Sequence, residues 1–349
     1  MTRSRGLGDV YKRQVMTISN TKWVLKSRPS GLVKEDNFEL ITEELSELNE
    51  GDLLLENQYL SFDPTQRMWL TDLPGYLPPV QIDEVVRSGG VGKVVESKND
   101  AYQVGDLLTG LVGWQKFCQV SADVLPFFRK IPDNLPIPAT MNVFGSTGLT
   151  AYFGLLDVGK PKEGETVVVS GAAGATGSVV AQIAKIMGCH VIGIAGGAEK
   201  CQWLKEIGVD DVIDYKEENV PERLTQLAKN GIDIYFDNVG GPIMESVLFL
   251  INLNARIVMC GSISNYTGEN LPKGPMNLTM LIIKRASIEG FLVLDYMHRA
   301  DEAYTDLIKW VEDGKIIHRE DVQEGLENCP QTLNRLFTGA NKGKQLLKI

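Results

Sequence analysis

Apolar and polar positions follow different periods in different parts of the chain. From Lys22 to about Pro132 they alternate in short runs, such as Asp52-Leu53-Leu54-Leu55-Glu56 and Gly92-Lys93-Val94-Val95-Glu96, each bounded by Gly, Pro or Asp. A period of two between turn formers predicts a compact, mostly antiparallel β domain. Near Met141 the period lengthens: Leu149, Tyr152, Phe153 and Leu156 fall at helical spacing, and Gly159-Lys160-Pro161 closes that helix. From Glu165 onward, continuous apolar runs alternate with helical spacers. Strands are predicted at 166–170, 190–194, 211–213, 232–236, 256–260 and 287–291, and Val180, Ile183, Ala184 and Met187 mark one face of the helix after the first. Strand and helix alternating in this way predict a parallel, doubly wound sheet, the Rossmann arrangement. No internal repeat or heptad seam suggests a solenoid or coiled coil.

The first of these strands runs directly into Gly171-Ala172-Ala173-Gly174-Ala175-Thr176-Gly177-Ser178, which opens a helix. Small residues let backbone approach a pyrophosphate, and the helix start offers free N–H groups and a positive dipole end. A glycine cluster alone also suits a tight turn with close packing. The strand before it, the amphipathic helix after it and a second strand on schedule favour dinucleotide binding at Gly174, Ala175, Thr176 and Gly177. An acidic residue at the end of the second strand would repel a 2′-phosphate, and this chain has Ala195-Gly196-Gly197 there. Lys200 lies just beyond and Tyr215 stands at the end of the third strand, so NADP is expected over NAD. The alternative for Lys200 is an ordinary solvated lysine, and Glu199 beside it opposes a phosphate.

Length and composition narrow the class. At 349 residues and 43% apolar content, the chain is long enough for two domains sharing a cleft. A net charge of -10, from 35 basic and 45 acidic residues, argues against nucleic acid and anionic membrane surfaces as partners. Five cysteines, Cys118, Cys189, Cys201, Cys260 and Cys329, lack paired spacing and read as reduced thiols in a cytoplasm. The histidines, His190, His298 and His318, have no metal-ligand spacing with them, so no metal is expected. Residues 1–15 carry Arg3, Arg5, Lys12 and Arg13 without an apolar run, and read as an adapter-derived leader ahead of Met16 rather than a transit peptide.

Several motifs together resemble the zinc-free medium-chain dehydrogenase/reductase superfamily, and within it the leukotriene B4 dehydrogenase, prostaglandin reductase and curcumin reductase family. They are Tyr59-Leu60-Ser61-Phe62-Asp63-Pro64, Gly148-Leu149-Thr150-Ala151-Tyr152, Ala172 to Val180, Asp237-Asn238-Val239-Gly240-Gly241 and Gly339-Ala340-Asn341-Lys342-Gly343-Lys344. The resemblance covers nearly all of the chain from Thr21 to Ile349. It implies a GroES-like catalytic domain at 16–144, a nucleotide domain at 145–311, a segment at 312–349 returning to the first domain, and a homodimer. By likeness, Asn238 lies on the nicotinamide ribose side and Asn341 reaches the cofactor from the tail. Cys260, Gly261, Ser262, Ile263 and Ser264 would line the nicotinamide pocket, with Phe291 to Val293 as another wall.

The resemblance also implies NADPH-dependent reduction of the C=C bond of α,β-unsaturated ketones or aldehydes. Hydride is expected at the carbon remote from the carbonyl, with the enolate held by Tyr266 and a cofactor ribose hydroxyl. A phenol suits that task because its hydrogen bond strengthens as charge moves onto oxygen; the alternative for Tyr266 is an exposed loop tyrosine. Tyr59 is the second family-matched tyrosine, with a packed β-domain residue as its alternative. Where many relatives continue Asp-Pro with Tyr-Met-Arg-Gly, this chain has Thr65-Gln66-Arg67-Met68-Trp69, and Ser146-Thr147 replaces a common Met-Pro. Trp69, Tyr76 and Trp114 are candidates for an apolar pocket. The rival activities are quinone reduction on the same fold and NADPH binding without turnover.

Overall fold

The computed structural model describes residues 18–268 and 274–349; the expected leader lies outside them. The alternating first third folds as expected. Strands β1 (Ser19–Leu25) and β2 (Phe38–Glu44) form an antiparallel pair. Strands β3 (Leu53–Ser61), β4 (Gly89–Ser97), β5 (Leu107–Leu111), β6 (Phe117–Val120) and β7 (Arg129–Lys130) form an antiparallel sheet centred on β3 and β4. Leu53 and Leu55, two apart on β3, enter one core with Trp23, Phe38, Phe62 and Trp114. Trp114 is a correction to the pocket expectation. It is fully buried, 5.4 Å from the Phe38 ring and 5.5 Å from Phe62, and is part of the core.

The second unit is a six-stranded parallel sheet of β8 (Thr166–Ser170), β9 (His190–Ala195), β10 (Asp211–Asp214), β11 (Ile232–Asp237), β12 (Ile251–Met259) and β13 (Ser287–Gly290). Their spatial order is β10-β9-β8-β11-β12-β13, so the winding reverses between β8 and β11. Both faces are covered. Val167 and Val169 point into a core with Val179, Val180, Ile183 and Ala184 of the Ala175–Ile186 helix, whereas Val168 points into another with Leu224, Val247 and Leu248. Each fully buried valine of β8 contributes roughly 1.5–3 kcal/mol, and an apolar residue at every position is what a strand covered on both sides requires. Met187 caps the helix and is 37% exposed, so it does not belong to the buried face read from the sequence.

Two further strands, β14 (Glu320–Glu324) and β15 (Lys344–Lys348), return the chain to the first sheet. β15 pairs antiparallel with β3, placing Leu346 opposite Ser61 and Leu347 opposite Leu60. The buried Lys344 ammonium forms an ion pair with Asp63, fastening the strand to the Asp63-Pro64 corner. A short backbone bridge joins Gly343 to Gly174, so this tail also touches the turn after β8.

Candidate functional site

The reversal between β8 and β11 opens a crevice beyond the strand ends, where doubly wound sheets bind ligands. At its floor the chain leaves Ser170, turns through Gly171 and enters the Ala175–Ile186 helix with Gly174 at the N-cap. No side chain caps this helix, and the first-turn N–H groups of Ala175, Thr176 and Gly177 are donors that could hold an anion. Gly177 has no room for a side chain: a Cβ there would lie 2.3 Å from the Gly171 carbonyl oxygen and 2.8 Å from the Ala172 Cα.

One end of the crevice opens into a cavity of roughly 320 Å³, lined by Gly196, Gly197, Lys200 and, from the tail, Gly339, Asn341 and Lys342. The Tyr215 ring lies over Gly196 so closely that a Cβ would stand 2.6 Å from its Cζ. Lys200 is partly buried, and burial reinforced by Lys216 holds its ammonium below the usual lysine range. An incoming anion would relieve both effects. Two cations not anticipated from the sequence stand here. Glu199 accepts from Lys342 Nζ at 2.8 Å and Arg319 Nη2 at 3.1 Å. The Asn341 amide turns back on its own segment and donates to the Gly343 carbonyl at 3.0 Å.

The other end is organised by the buried Asp237. Its Oδ1 accepts from Ser170 Oγ and the Tyr235 hydroxyl at 2.8 Å, and from the Val239 and Gly240 N–H groups at 2.9 and 2.8 Å. Asn238 follows, its Nδ2 donating to the Ser170 carbonyl at 2.7 Å, which ties the β8 and β11 ends together. The loop after β12 packs on this corner: Ile263 N–H donates to the Asn238 carbonyl, and Ser264 Oγ to the Val239 carbonyl at 2.6 Å. Cys260 and Gly261 N–H groups both donate to the Asp237 carbonyl at 3.0 Å. Burial, with Asp237 beside it, pushes the Cys260 thiol up to about 12, so it stays protonated at neutral pH.

Tyr266 closes the loop. Its hydroxyl oxygen accepts from the Ser262 N–H at 3.1 Å, and Ser262 Oγ in turn accepts from Asn265 Nδ2. Burial raises the phenol above the usual tyrosine range, so at neutral pH it keeps its proton. With an acceptor lone pair engaged by Ser262, that proton is left to donate outward.

Other expected positions fall differently. Tyr59 packs its ring in a small apolar cluster with Val91, Ile131, Met141 and Leu346, the environment of a structural residue. Phe291 lies just past β13 with its ring over Gly154 and edge-on to Phe236, turned into the core rather than away from it. Val293 begins the helical turn Val293–Arg299. Trp69 and Tyr76 do meet, ring against ring at 6.4 Å, and the Tyr76 hydroxyl is 2.7 Å from Thr65 Oγ1.

Two family descriptions match the chain, "N-terminal domain of oxidoreductase" over residues 21–126 and "zinc-binding dehydrogenase" over 175–313. The residues present do not fit a zinc ion. His190 pairs with Asp210 and Asp211, His318 with Glu320, and no group of three possible ligands comes together among the described residues. The NADPH-dependent curcumin reductase of Escherichia coli (strain K12) is 43% identical, over 95% of this chain and 97% of that protein. The NADP(+)-dependent 2-alkenal reductase of Nicotiana tabacum is 39% identical, over 95% and 98%. The crystal structure of CurA from Vibrio vulnificus in complex with NADPH superposes with a TM-score of 0.89 at 41% identity, over 94% of this chain and 98% of that one. The chain therefore belongs to the medium-chain dehydrogenase/reductase superfamily of oxidoreductases, in the family of the curcumin, prostaglandin and 2-alkenal reductases.

Proposed function

We propose that this protein is an NADPH-dependent reductase of the C=C bond in α,β-unsaturated ketones and aldehydes. The observation that carries the reading is the half-buried Tyr266 hydroxyl, held by the Ser262 N–H beside the crevice between β8 and β11, with partial burial raising its pKa. The cofactor, when bound, supplies the hydride. The chain supplies orientation and charge stabilisation. The N–H groups of Ala175, Thr176 and Gly177 face the pyrophosphate, Lys200 and Tyr215 hold the 2′-phosphate, and Asn238, Asn341 and the loop from Cys260 to Ser264 surround the remainder. Tyr266 donates to the substrate carbonyl and gains strength as negative charge reaches that oxygen. Solvent then returns a proton to the α-carbon.

Purified protein is expected to consume NADPH with 1-octen-3-one at a higher kcat/KM than with benzoquinone, giving octan-3-one. Turnover of the quinone alone would transfer the assignment to quinone reduction, and silence with both would leave a binding protein. The cofactor preference rests on Lys200, whose charge-assisted bond to phosphate is worth roughly ten- to a hundredfold in affinity. Lys200→Gln should therefore weaken NADPH by that factor and leave NADH unchanged in a fluorescence titration. Equal losses for both cofactors would remove Lys200 from the phosphate site.

The same reading includes the division 16–144, 145–311 and 312–349, supported by the two sheets and the return of β15 to β3. It includes a cytoplasmic location, supported by five unpaired cysteines and, among the described residues, no helix long and apolar enough to cross a membrane. It also includes a homodimer. Among the described residues β13 is an edge strand of its sheet, and nearby Met276, Ile282 and Ile283 are 93%, 78% and 56% exposed. Light scattering should give the mass of two chains for the wild type and of one for Ile282→Glu; a wild-type monomer at micromolar concentration would rule the dimer out.

A further inference from the structure

A carboxylate stands where the proposed cofactor would bring a phosphate. Glu199 and Lys342 both line the cavity beside Lys200, and Glu199 Oε1 accepts from Lys342 Nζ at 2.8 Å and from Arg319 Nη2 at 3.1 Å. Its bonds to Lys342 and then Arg319 hold the carboxyl below the usual glutamate range, so it is ionised at neutral pH. An acidic side chain in this wall would repel a 2′-phosphate if it were fixed there. Both of its ion pairs are open to solvent, however: the Glu199 side chain is 56% exposed and that of Lys342 47%. Exposed pairs of this kind are weak and readily exchanged.

The backbone around the two cations brings them together. Lys344 N–H donates to the Arg319 carbonyl at 2.9 Å, and Gly343, at φ +82°, packs so closely there that a Cβ would stand 2.3 Å from the same oxygen. Asp321 Oδ2 accepts from the Lys342 N–H at 3.0 Å, but its charge is taken up by Arg335 Nη2 at 2.7 Å. The Arg319 guanidinium carbon lies 5.7 Å from the centre of the Trp203 ring, on the Ala198–Glu206 helix that also carries Glu199 and Lys200. Lys200, Arg319 and Lys342 thus converge on one corner, with Lys216 close enough to Lys200 to act on it. Cations gathered in this way repel one another, and Glu199 bridges two of them.

We propose that Glu199 is a displaceable stand-in for the 2′-phosphate: it holds Lys342 and Arg319 at the cavity until the cofactor arrives, then yields both cations to the phosphate. A phosphate monoester carries up to two negative charges and three acceptor oxygens against the single charge of a carboxylate, so it wins the exchange. Glu199 therefore moderates the affinity for NADPH instead of excluding it. When the oxidised cofactor leaves, the carboxylate takes the cations back, which favours release. The inference rests on the NADPH reading above and assigns Glu199, Arg319 and Lys342 to that same site.

Fluorescence titration tests the exchange without recourse to turnover. Glu199→Gln should bind NADPH about three- to tenfold more tightly than wild type, with NADH unchanged, because the cations no longer have to be won from a carboxylate. The paired variant Arg319→Gln with Lys342→Gln should lose about tenfold in NADPH affinity. Adding Glu199→Gln to that pair should then recover little of the gain seen in the wild-type background. A gain of undiminished size there would mean simple repulsion between Glu199 and the phosphate, and overturns the exchange. So does a Glu199→Gln protein, folded by its thermal melt, that binds NADPH no better than wild type or gains equally for NADH. In each of these cases tight NADPH binding by the wild type leaves the reductase reading standing. A wild type that binds neither cofactor overturns that reading and this inference with it.

Discussion

Gly177→Ala weakens NADPH binding by roughly ten- to a hundredfold, because the added methyl has no space that side-chain motion can free. It would meet the Gly171 carbonyl oxygen at 2.3 Å and the Ala172 Cα at 2.8 Å, both backbone atoms of the turn that approaches the pyrophosphate. Overpacking against backbone costs about 1–3 kcal/mol, which converts to that range if the shift is taken by the turn. The preceding strand is hydrogen-bonded on both edges, to β9 and to β11, and buried on both faces, so the turn and helix start must yield. Isothermal titration with NADPH measures the loss, and a thermal melt separates it from unfolding. Wild-type affinity in a folded Gly177→Ala protein would show that the cofactor does not approach this turn.

Tyr266→Phe lowers kcat for enone reduction by about a hundredfold and leaves NADPH affinity within twofold of wild type. Removing one donor to a developing oxyanion typically costs on the order of 10²–10³ in rate. The Ser262 N–H, which the phenol oxygen accepts in the intact protein, also loses its partner. Because burial raises the Tyr266 pKa, the donor form persists through neutral pH and is lost only as the pH climbs through the raised value. The alkaline fall of kcat assigned to this group should therefore begin above the ordinary tyrosine range and vanish in Tyr266→Phe. A variant with full kcat, or an alkaline limb unchanged by the substitution, would remove Tyr266 from the reaction.

The parts of this molecule that could be read from the chain are those where one local pattern answers one physical demand. Thr166 to Ser170 carries three consecutive valines because both of its faces are covered, and the small residues after it mark a turn that must stay close to backbone. Strand β12 was placed at 256–260 but begins at Ile251. Asn252 and Asn254 interrupt its apolar run, Asn254 adopts φ +61°, and the pairing with β11 slips between Ile232 and Ile234. An irregular strand end carries no clean period.

Longer-range features left no local trace. Glu199 meets Arg319 and Lys342 only because the tail crosses back over the nucleotide sheet. Thr65 and Tyr76 are bonded across the short helix Thr65–Trp69 and the turn after it, where neither spacing nor periodicity marks a partner. Tyr59 belongs to a family motif in sequence, and its half-buried ring packs on Val91, Ile131, Met141 and Leu346; the motif marks the strand, and only the fold shows what its side chains touch.

The central claim is tested most directly by following the transferred hydrogen. Turnover of 1-octen-3-one with NADPH carrying deuterium at the reactive position of the nicotinamide should give octan-3-one with one deuterium on the carbon β to the carbonyl, stoichiometric with cofactor oxidised. Deuterium on the carbinol carbon of an allylic alcohol, or cofactor oxidation without label in any product, would contradict the account.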